Sequence, residues 1–239
     1  MYGRGGVYLD LLGVLFPRTC PMCRRIITGA YICENCRTKL PYITGPRCCK
    51  CSKPVLKEEG EYCTDCSKGR HKYKKGVAPF LHTGELKQAV YRMKYDNKRE
   101  YGDFFAEETV KRHRREILSW GCDCMIPVPL FKKKKIKRGF NQAEVIAAKL
   151  SRRLQIPYNT KILYRVKDTE PMKQLDHIHR KKNLEKAFKI SENIVKLNKV
   201  LLVDDIYTTG STIDECSTVL VAAGAEEVYF ICLSIGVGC

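Results

Sequence analysis

Two adjacent carboxylates followed by a hydroxyl- and glycine-rich stretch form the pattern in this chain that most directly suggests chemistry. Asp204 and Asp205 follow an apolar run at residues 200–203 and precede the stretch at 208–212. Carboxylate oxygens accept hydrogen bonds from vicinal hydroxyls, and the N–H groups of a tight loop before a helix bind anions. The pattern predicts a site for a ligand with a diol and a phosphate. An ordinary strand–helix turn with a capping hydroxyl is the alternative interpretation.

The neighbouring residues predict the elements that position this pattern. Residues 200–203 are all apolar, as in a strand buried on both faces, and residues 228–235 predict the next strand. Between them, Ile213, Cys216 and Leu220 recur at helical spacing, and Gly224 stands where a helix C-cap is expected. We therefore expect a β–loop–α–β unit with its loop at the carboxyl end of a strand, where open α/β sheets bind ligands.

These residues resemble the phosphoribosyl-pyrophosphate motif of type I phosphoribosyltransferases. The resemblance implies that Asp204 and Asp205 are catalytic-site residues that hold the ribose hydroxyls. It also implies that the loop holds the 5′-phosphate and that, if the protein is an enzyme, Mg²⁺, Lys137 and the catalytic residue Arg138 neutralise the departing pyrophosphate. The implied ligand-binding residues around the loop are Tyr207, Thr208, Thr209, Gly210, Ser211 and Thr212.

A dense group of cysteines predicts metal binding in the N-terminal part of the chain. Nine of the 14 cysteines lie between residues 20 and 66, and eight of them form four C-x2-C pairs. Such pairs direct two thiolates at one tetrahedral ion, so we expect two structural zinc sites. The predicted ligands are Cys20, Cys23, Cys33, Cys36, Cys48, Cys51, Cys63 and Cys66.

The spacing leaves the pairing of these cysteines open. Consecutive C-x2-C pairs could share an ion, as in a zinc ribbon, and a cross-braced arrangement also fits. A disulfide framework is a further alternative, but it needs an oxidising compartment and the chain shows no secretory signal. Redox-active C-x-x-C motifs usually occur singly. Cys49 falls outside the spacing and is not expected to be a ligand.

Composition bounds the compartment and the partners. The chain has 239 residues, 44% of them hydrophobic, and its apolar N-terminal stretch at residues 7–16 is too short to span a bilayer. We expect a cytoplasmic protein with no transmembrane segment. The 44 Lys and Arg against 26 Asp and Glu give a formal net charge of +18, which favours an anionic partner.

From residue 76 onward, helical and strand patterns alternate, which predicts an α/β fold with a mostly parallel sheet flanked by helices. We expect residues 1–75 to form a short N-terminal segment plus a zinc-ribbon-like domain, and residues 76–239 to form the phosphoribosyltransferase-like domain. After a strand at 124–128, the lysine-rich stretch 132–138 predicts a second anion-binding turn with Lys137 and Arg138. A solvated lysine-rich loop is the alternative. Asn141 and Glu144 then form a capping-box-like helix start.

The order of the motifs resembles one family, the ComF/ComFC competence proteins. The resemblance rests on Pro127-Val-Pro129, on Arg138-Gly-Phe-Asn-Gln142-Ala-Glu144, on Thr83-Gly84 with Lys94-Tyr95, and on the cysteine-rich N-terminus. It implies a competence protein that handles single-stranded DNA in the cytoplasm, near the inner face of the membrane, beside a competence helicase. It also implies that segment 165–183 covers the ligand, with Arg165 and Arg180 as binding residues.

Three further expectations follow from this resemblance. The chain is either an active phosphoribosyltransferase with an unknown acceptor or a catalytically silent, phosphoribosyl-pyrophosphate-sensing DNA-binding module. An acceptor pocket would have to come from the cysteine-rich region and residues 76–100, or would be absent. Four aromatic residues among basic neighbours could stack on bases, with a buried core position as the alternative for each: Tyr91, Tyr95, Tyr101 and Phe140.

Overall fold

The computed structural model describes residues 17–56, 60–69, 71–168, 186–191 and 197–236. The strands are β1 (Lys75–Val77), β2 (Phe80–Leu81), β3 (Cys124–Pro127), β4 (Leu163–Arg165), β5 (Phe188–Ile190), β6 (Lys199–Tyr207) and β7 (Glu227–Ile235). The helices are α1 (Glu34–Arg37), α2 (Thr64–Ser67), α3 (Gly84–Tyr95), α4 (Tyr101–Ser119), α5 (Lys132–Arg138), α6 (Gln142–Leu154) and α7 (Ser211–Ala222). Among the described residues, no helix has both the length and the apolar character that crossing a bilayer requires.

A parallel sheet with strand order β1–β7–β6–β3 forms the centre of the fold, and β2 adds a second pairing with β7. Strands β4 and β5 form a separate antiparallel pair. This architecture confirms the predicted α/β class. The β6–β7 pairing continues to Tyr207, whereas β3 ends at Pro127, opposite Val203. The last four residues of β6 therefore extend past the end of β3.

Side chains alternate along β6, so the two faces of the sheet carry separate cores. Leu201 and Val203 pack on one face with residues of α3, α4 and α6. Val200 and Leu202 pack on the other face with residues of α7, β4 and β5. Asp204 and Asp205 continue this alternation, so they leave the strand on opposite faces.

The cysteine-rich region consists of two similar halves, one on each face of the sheet. Each half has a turn with a left-handed residue, Arg24 or Ser52, followed by a one-turn helix, α1 or α2. The first half packs with the α3/α4 core and the second with the α7 core. The expected domain boundary at residues 75/76 falls inside β1, where the ring of Phe230 occupies the space that a Cβ on Gly76 would need.

Residues 132–138 form helix α5, so the predicted lysine-rich turn is wrong. Lysine is a good helix former, and Gly139 ends the helix in the left-handed conformation with a φ of 80°. The N–H of Gly139 donates to the Lys135 carbonyl within the helix, so it does not point at an anion. Lys135 pairs with Glu144, which therefore does not complete a capping box. Asn141 still caps α6 by accepting from the N–H of Ala143.

Candidate functional site

The two predicted acids lie near the carboxyl end of β6, in the part that extends past β3. Both are buried, with 9% of Asp204 and 6% of Asp205 exposed. Asp204 accepts a hydrogen bond from the N–H of Asp205 at 2.9 Å. Because the side chains flank the strand, a diol bound by both carboxylates would lie across the end of β6 rather than on one face of the sheet.

Two cations approach the acids from different sides. Lys94, in the last turn of α3, forms an ion pair with Asp205. Burial raises the pKa of Asp204 to about 6, and the nearby charges of Lys94 and Arg165 oppose this shift. Lys94 belongs to a motif that carries the family resemblance, but the sequence did not identify it as a site residue. The predicted ligand-binding residue Arg165 does lie near the acids.

The loop after β6 ends at Gly210, and α7 begins at Ser211, so Ser211 and Thr212 belong to the first turn of the helix. Gly210 has a φ of 80° and provides no side-chain cap for α7. The hydroxyls of Thr209 and Ser211 are 2.9 Å apart. A helix start without a side-chain cap presents N–H groups and the positive end of its dipole, which suits a phosphate.

Tyr207 lies beneath this loop. Its side chain is buried, and its hydroxyl is 2.6 Å from that of Tyr73. A Cβ built on Gly210 would come within 2.6 Å of the Tyr207 hydroxyl, so glycine is required there by space as well as by φ. The contact with Tyr73 shows that Tyr207 supports the loop, and its ligand contact stays a prediction.

The second half of the cysteine-rich region also holds the first turn of α7. Asp214 accepts from Nδ1 of His71 at 2.7 Å and from the N–H of Lys72 at 2.7 Å. The Tyr73 hydroxyl lies 3.8 Å from the thiol sulfur of Cys66. No sequence pattern predicted the contacts of Asp214 with His71 and Lys72, or of Tyr207 with Tyr73, because these partners are more than 130 residues apart in the chain.

Of the other predicted binding residues that the structure describes, only Arg138 is seen to lie near the residues around the acids. The Arg138 guanidinium lies 4.9 Å from the ring centroid of Tyr95, next to Lys94 in α3, and it donates to Gln142. Burial lowers the pKa of Arg138. Lys137 is exposed in α5, with no contact to the acids in the described part of the chain. Arg180 lies outside the described residues, as does most of segment 165–183.

The eight predicted metal ligands form two tetrads made from consecutive C-x2-C pairs. In each tetrad all four sulfur atoms lie within 4.8 Å of one another. The sulfurs of Cys23 and Cys33 are 3.7 Å apart, and those of Cys51 and Cys63 are 3.6 Å apart. Four thiolates at about 2.3 Å from a tetrahedral zinc ion have this separation, so both tetrads fit zinc. Neither the cross-braced arrangement nor a disulfide framework occurs, since these cysteines are free, and Cys49 is exposed outside the tetrads.

Comparisons with known proteins agree with both halves of this description. A double zinc ribbon domain matches residues 11–67, and a phosphoribosyl transferase domain matches residues 137–234. Competence protein F of Haemophilus influenzae is 30% identical over 222 residues, which cover 82% of this chain and 93% of that protein. The chain belongs to the ComF/ComFC competence family.

Two relatives with lower identity also align with most of this ComF/ComFC-family chain. The DNA utilization protein YhgH of Escherichia coli K12 is 26% identical, covering 91% of this chain and 96% of that protein. Competence protein ComFC of Bacillus subtilis is 26% identical, and the alignment covers 81% of this chain and 79% of that protein. A purine phosphoribosyltransferase structure from Pyrococcus horikoshii is 20% identical with a TM-score of 0.35, covering 55% of this chain and 73% of the other.

Proposed function

We propose that this chain is a competence protein that binds phosphoribosyl pyrophosphate at the end of β6 and handles single-stranded DNA in the cytoplasm. The observation that carries the first part is the buried pair Asp204 and Asp205 directly before an uncapped helix start at Gly210. The carboxylates suit the two ribose hydroxyls, and the N–H groups of the first turn of α7 suit the 5′-phosphate. The names and lengths of the relatives support the competence function.

The proposed binding requires rearrangement of one ion pair. Asp205 is neutralised by Lys94 in this structure, so a diol that takes the carboxylate releases the lysine toward the anionic part of the ligand. Bound Mg²⁺ would be shared by ligand phosphates and site carboxylates, as is usual for this ion, and would supply charge neutralisation of the pyrophosphate. Arg138 lies against Tyr95, next to Lys94 in the chain, and would add to that neutralisation together with Lys137 of the same helix.

Zinc would have a structural function in this scheme. Each tetrad supplies four thiolates and therefore closes the coordination shell of a tetrahedral ion. We propose that residues 1–75 form the zinc-binding unit and residues 76–239 the phosphoribosyltransferase-like unit, although the two share cores on both faces of the sheet.

The net charge of +18 and helix α5 support the DNA-handling part of the proposal. Lys132, Lys133 and Lys137 are exposed on that helix, beside Arg138. A surface of this kind follows a phosphate backbone without reading sequence, and its affinity falls steeply with salt.

A calorimetric titration of the zinc-loaded protein with phosphoribosyl pyrophosphate and Mg²⁺, with and without an oligothymidylate, tests this function. We expect saturable binding that the double variant Asp204→Asn/Asp205→Asn abolishes, and an affinity that differs when the oligonucleotide is present. Wild-type protein that binds neither ligand would contradict the proposal. Release of pyrophosphate that depends on an added acceptor would identify an enzyme, and binding without release would identify a sensor.

A further inference from the structure

A small cavity lies between α3 and the end of β6, and its lining includes Lys94, which pairs with Asp205, and Ile206, the residue after Asp205. Its volume is about 260 Å³. Typical small-molecule pockets measure roughly 300–1,000 Å³, so this cavity suits a single ring system rather than a whole nucleotide. The residues around it that matter here are Lys87, Tyr91, Lys94, Tyr95 and Ile206.

Two tyrosines form the aromatic part of this wall. Tyr91 is 48% exposed and Tyr95 is 59% exposed, and their ring centroids are 4.6 Å apart. They lie four residues apart in α3, on one face of the helix. The Arg138 guanidinium lies 4.9 Å from the Tyr95 ring centroid and orders that ring. The two rings therefore form an ordered aromatic surface that is about half exposed, and a base could stack on such a surface.

The structure excludes the other two aromatic residues that the sequence suggested for stacking. Tyr101 is 1% exposed, and its hydroxyl bonds the Thr19 hydroxyl at 3.0 Å. Phe140 is 6% exposed, and the guanidinium of Arg99 lies 4.5 Å from its ring centroid. Neither ring can meet a base without unfolding its surroundings.

Charge around the cavity favours an anionic chain rather than a neutral ring alone. Lys87 and Lys94 line the cavity, and its described lining includes no carboxylate. Arg138 connects Tyr95 to α5, where further lysines are exposed. Single-stranded DNA fits this arrangement of an aromatic surface and neighbouring cations. Its phosphates would follow the basic helix α5, and one of its bases would enter the cavity.

We propose that Tyr91, Tyr95 and the cavity beside them bind a heterocyclic base, presented by single-stranded DNA that runs along α5. This inference rests on the proposed function and assigns a site to its DNA-handling part. Lys94 lines the cavity and pairs with Asp205, so the base and the phosphoribosyl pyrophosphate occupy adjacent positions that share one lysine.

The test measures fluorescence anisotropy of a labelled oligothymidylate of about 20 nucleotides with the full-length, zinc-loaded protein. Tyr91→Ala and Tyr95→Ala should each weaken binding by about 5- to 150-fold, the range expected when one stacked base is lost. Tyr91→Phe and Tyr95→Phe should stay within about twofold of wild type, because a phenyl ring also stacks. The dependence of the logarithm of the binding constant on the logarithm of the salt concentration should not change, since no phosphate contact is removed.

Tyr158→Ala is the matched control, because Tyr158 is 43% exposed but lies beside Met125 near the start of β3, at the opposite end of that strand. If Tyr91→Ala binds the oligonucleotide as tightly as Tyr158→Ala does, the inference is overturned while the DNA-handling function stands. Wild-type protein that does not bind the oligonucleotide would overturn both.

Titrations with adenine and with thymidine separate the two sources of a base. We expect both compounds to compete weakly with the oligonucleotide, because a free base and a nucleoside both lack the phosphate contacts of the strand. Binding of free adenine that needs Tyr91, in protein that does not bind the oligonucleotide, would overturn the assignment to DNA and identify a small acceptor instead.

Discussion

Asp214→Ala should show that the residues after the second cysteine tetrad position the start of α7 and the loop before it. Asp214 lies in the first turn of α7, and its two oxygens accept from His71 and from the N–H of Lys72, each at 2.7 Å. Its side chain is 26% exposed and that of His71 is 9% exposed. Hydrogen bonds to charged groups contribute roughly 1.5–3 kcal/mol each, and water replaces part of the loss at an exposed carboxylate. We expect the free energy of unfolding to fall by about 3 kcal/mol.

The effect on ligand binding is the more specific expectation. Without Asp214 the start of α7 loses its tie to residues 71 and 72, and the loop N–H groups lose part of their fixed direction. We expect phosphoribosyl pyrophosphate to bind about tenfold more weakly, which corresponds to about 1.4 kcal/mol. Amide hydrogen exchange at residues 208–213 should become faster at the same time.

Asp123→Ala provides the control. Asp123 also accepts from two backbone N–H groups, of Asn198 at 2.9 Å and Lys199 at 2.8 Å, but it lies at the opposite end of β6 from the loop. This variant should lose stability and keep its ligand affinity within about twofold. Equal affinity losses in the two variants, or unchanged exchange at residues 208–213 in Asp214→Ala, would refute the positioning argument.

Two further expectations concern the acids and the tetrads. The pKa of Asp204 is about 6 in the folded chain, above its unfolded value, so the folded state binds this proton more tightly. Stability from this proton is present below about pH 4 and is lost as the pH rises to about 6, by about 3 kcal/mol. Urea unfolding between pH 4 and 7 should therefore show wild type losing stability relative to Asp204→Asn, and parallel curves would exclude the raised pKa. Cys66→Ser should weaken phosphoribosyl pyrophosphate binding more than Cys23→Ser does, because only the second tetrad packs in the core with α7. Titration calorimetry with zinc analysis of both variants measures this, and the reverse order would contradict it.

Features of this chain that depend on residues close together in sequence could be predicted, and features that depend on distant residues could not. The strand before Asp204 and the helix after Gly210 follow from apolar periodicity within about 25 residues, and both occur. The eight cysteine ligands follow from C-x2-C spacing, because a tight turn fixes two ligands at once, whereas the structure decided which pairs share a site. The lysine-rich turn was predicted wrongly, since lysine favours a helix, Gly139 ends it, and Asp168 and Glu144 from elsewhere in the chain pair with Lys134 and Lys135.

The sequence by itself determined the class of this protein: a parallel α/β sheet, an acid pair before a glycine- and hydroxyl-rich loop, and eight cysteines in four C-x2-C pairs. These features depend on residue type and short-range spacing, which the chain shows directly. Only the tertiary structure decided that Lys94 neutralises Asp205, that Tyr73 and Tyr207 support the loop from the second tetrad, and which tyrosines stay exposed. Those contacts join residues about 110 and 134 positions apart. Their geometry depends on how the sheet is covered on each face, and no local pattern records that.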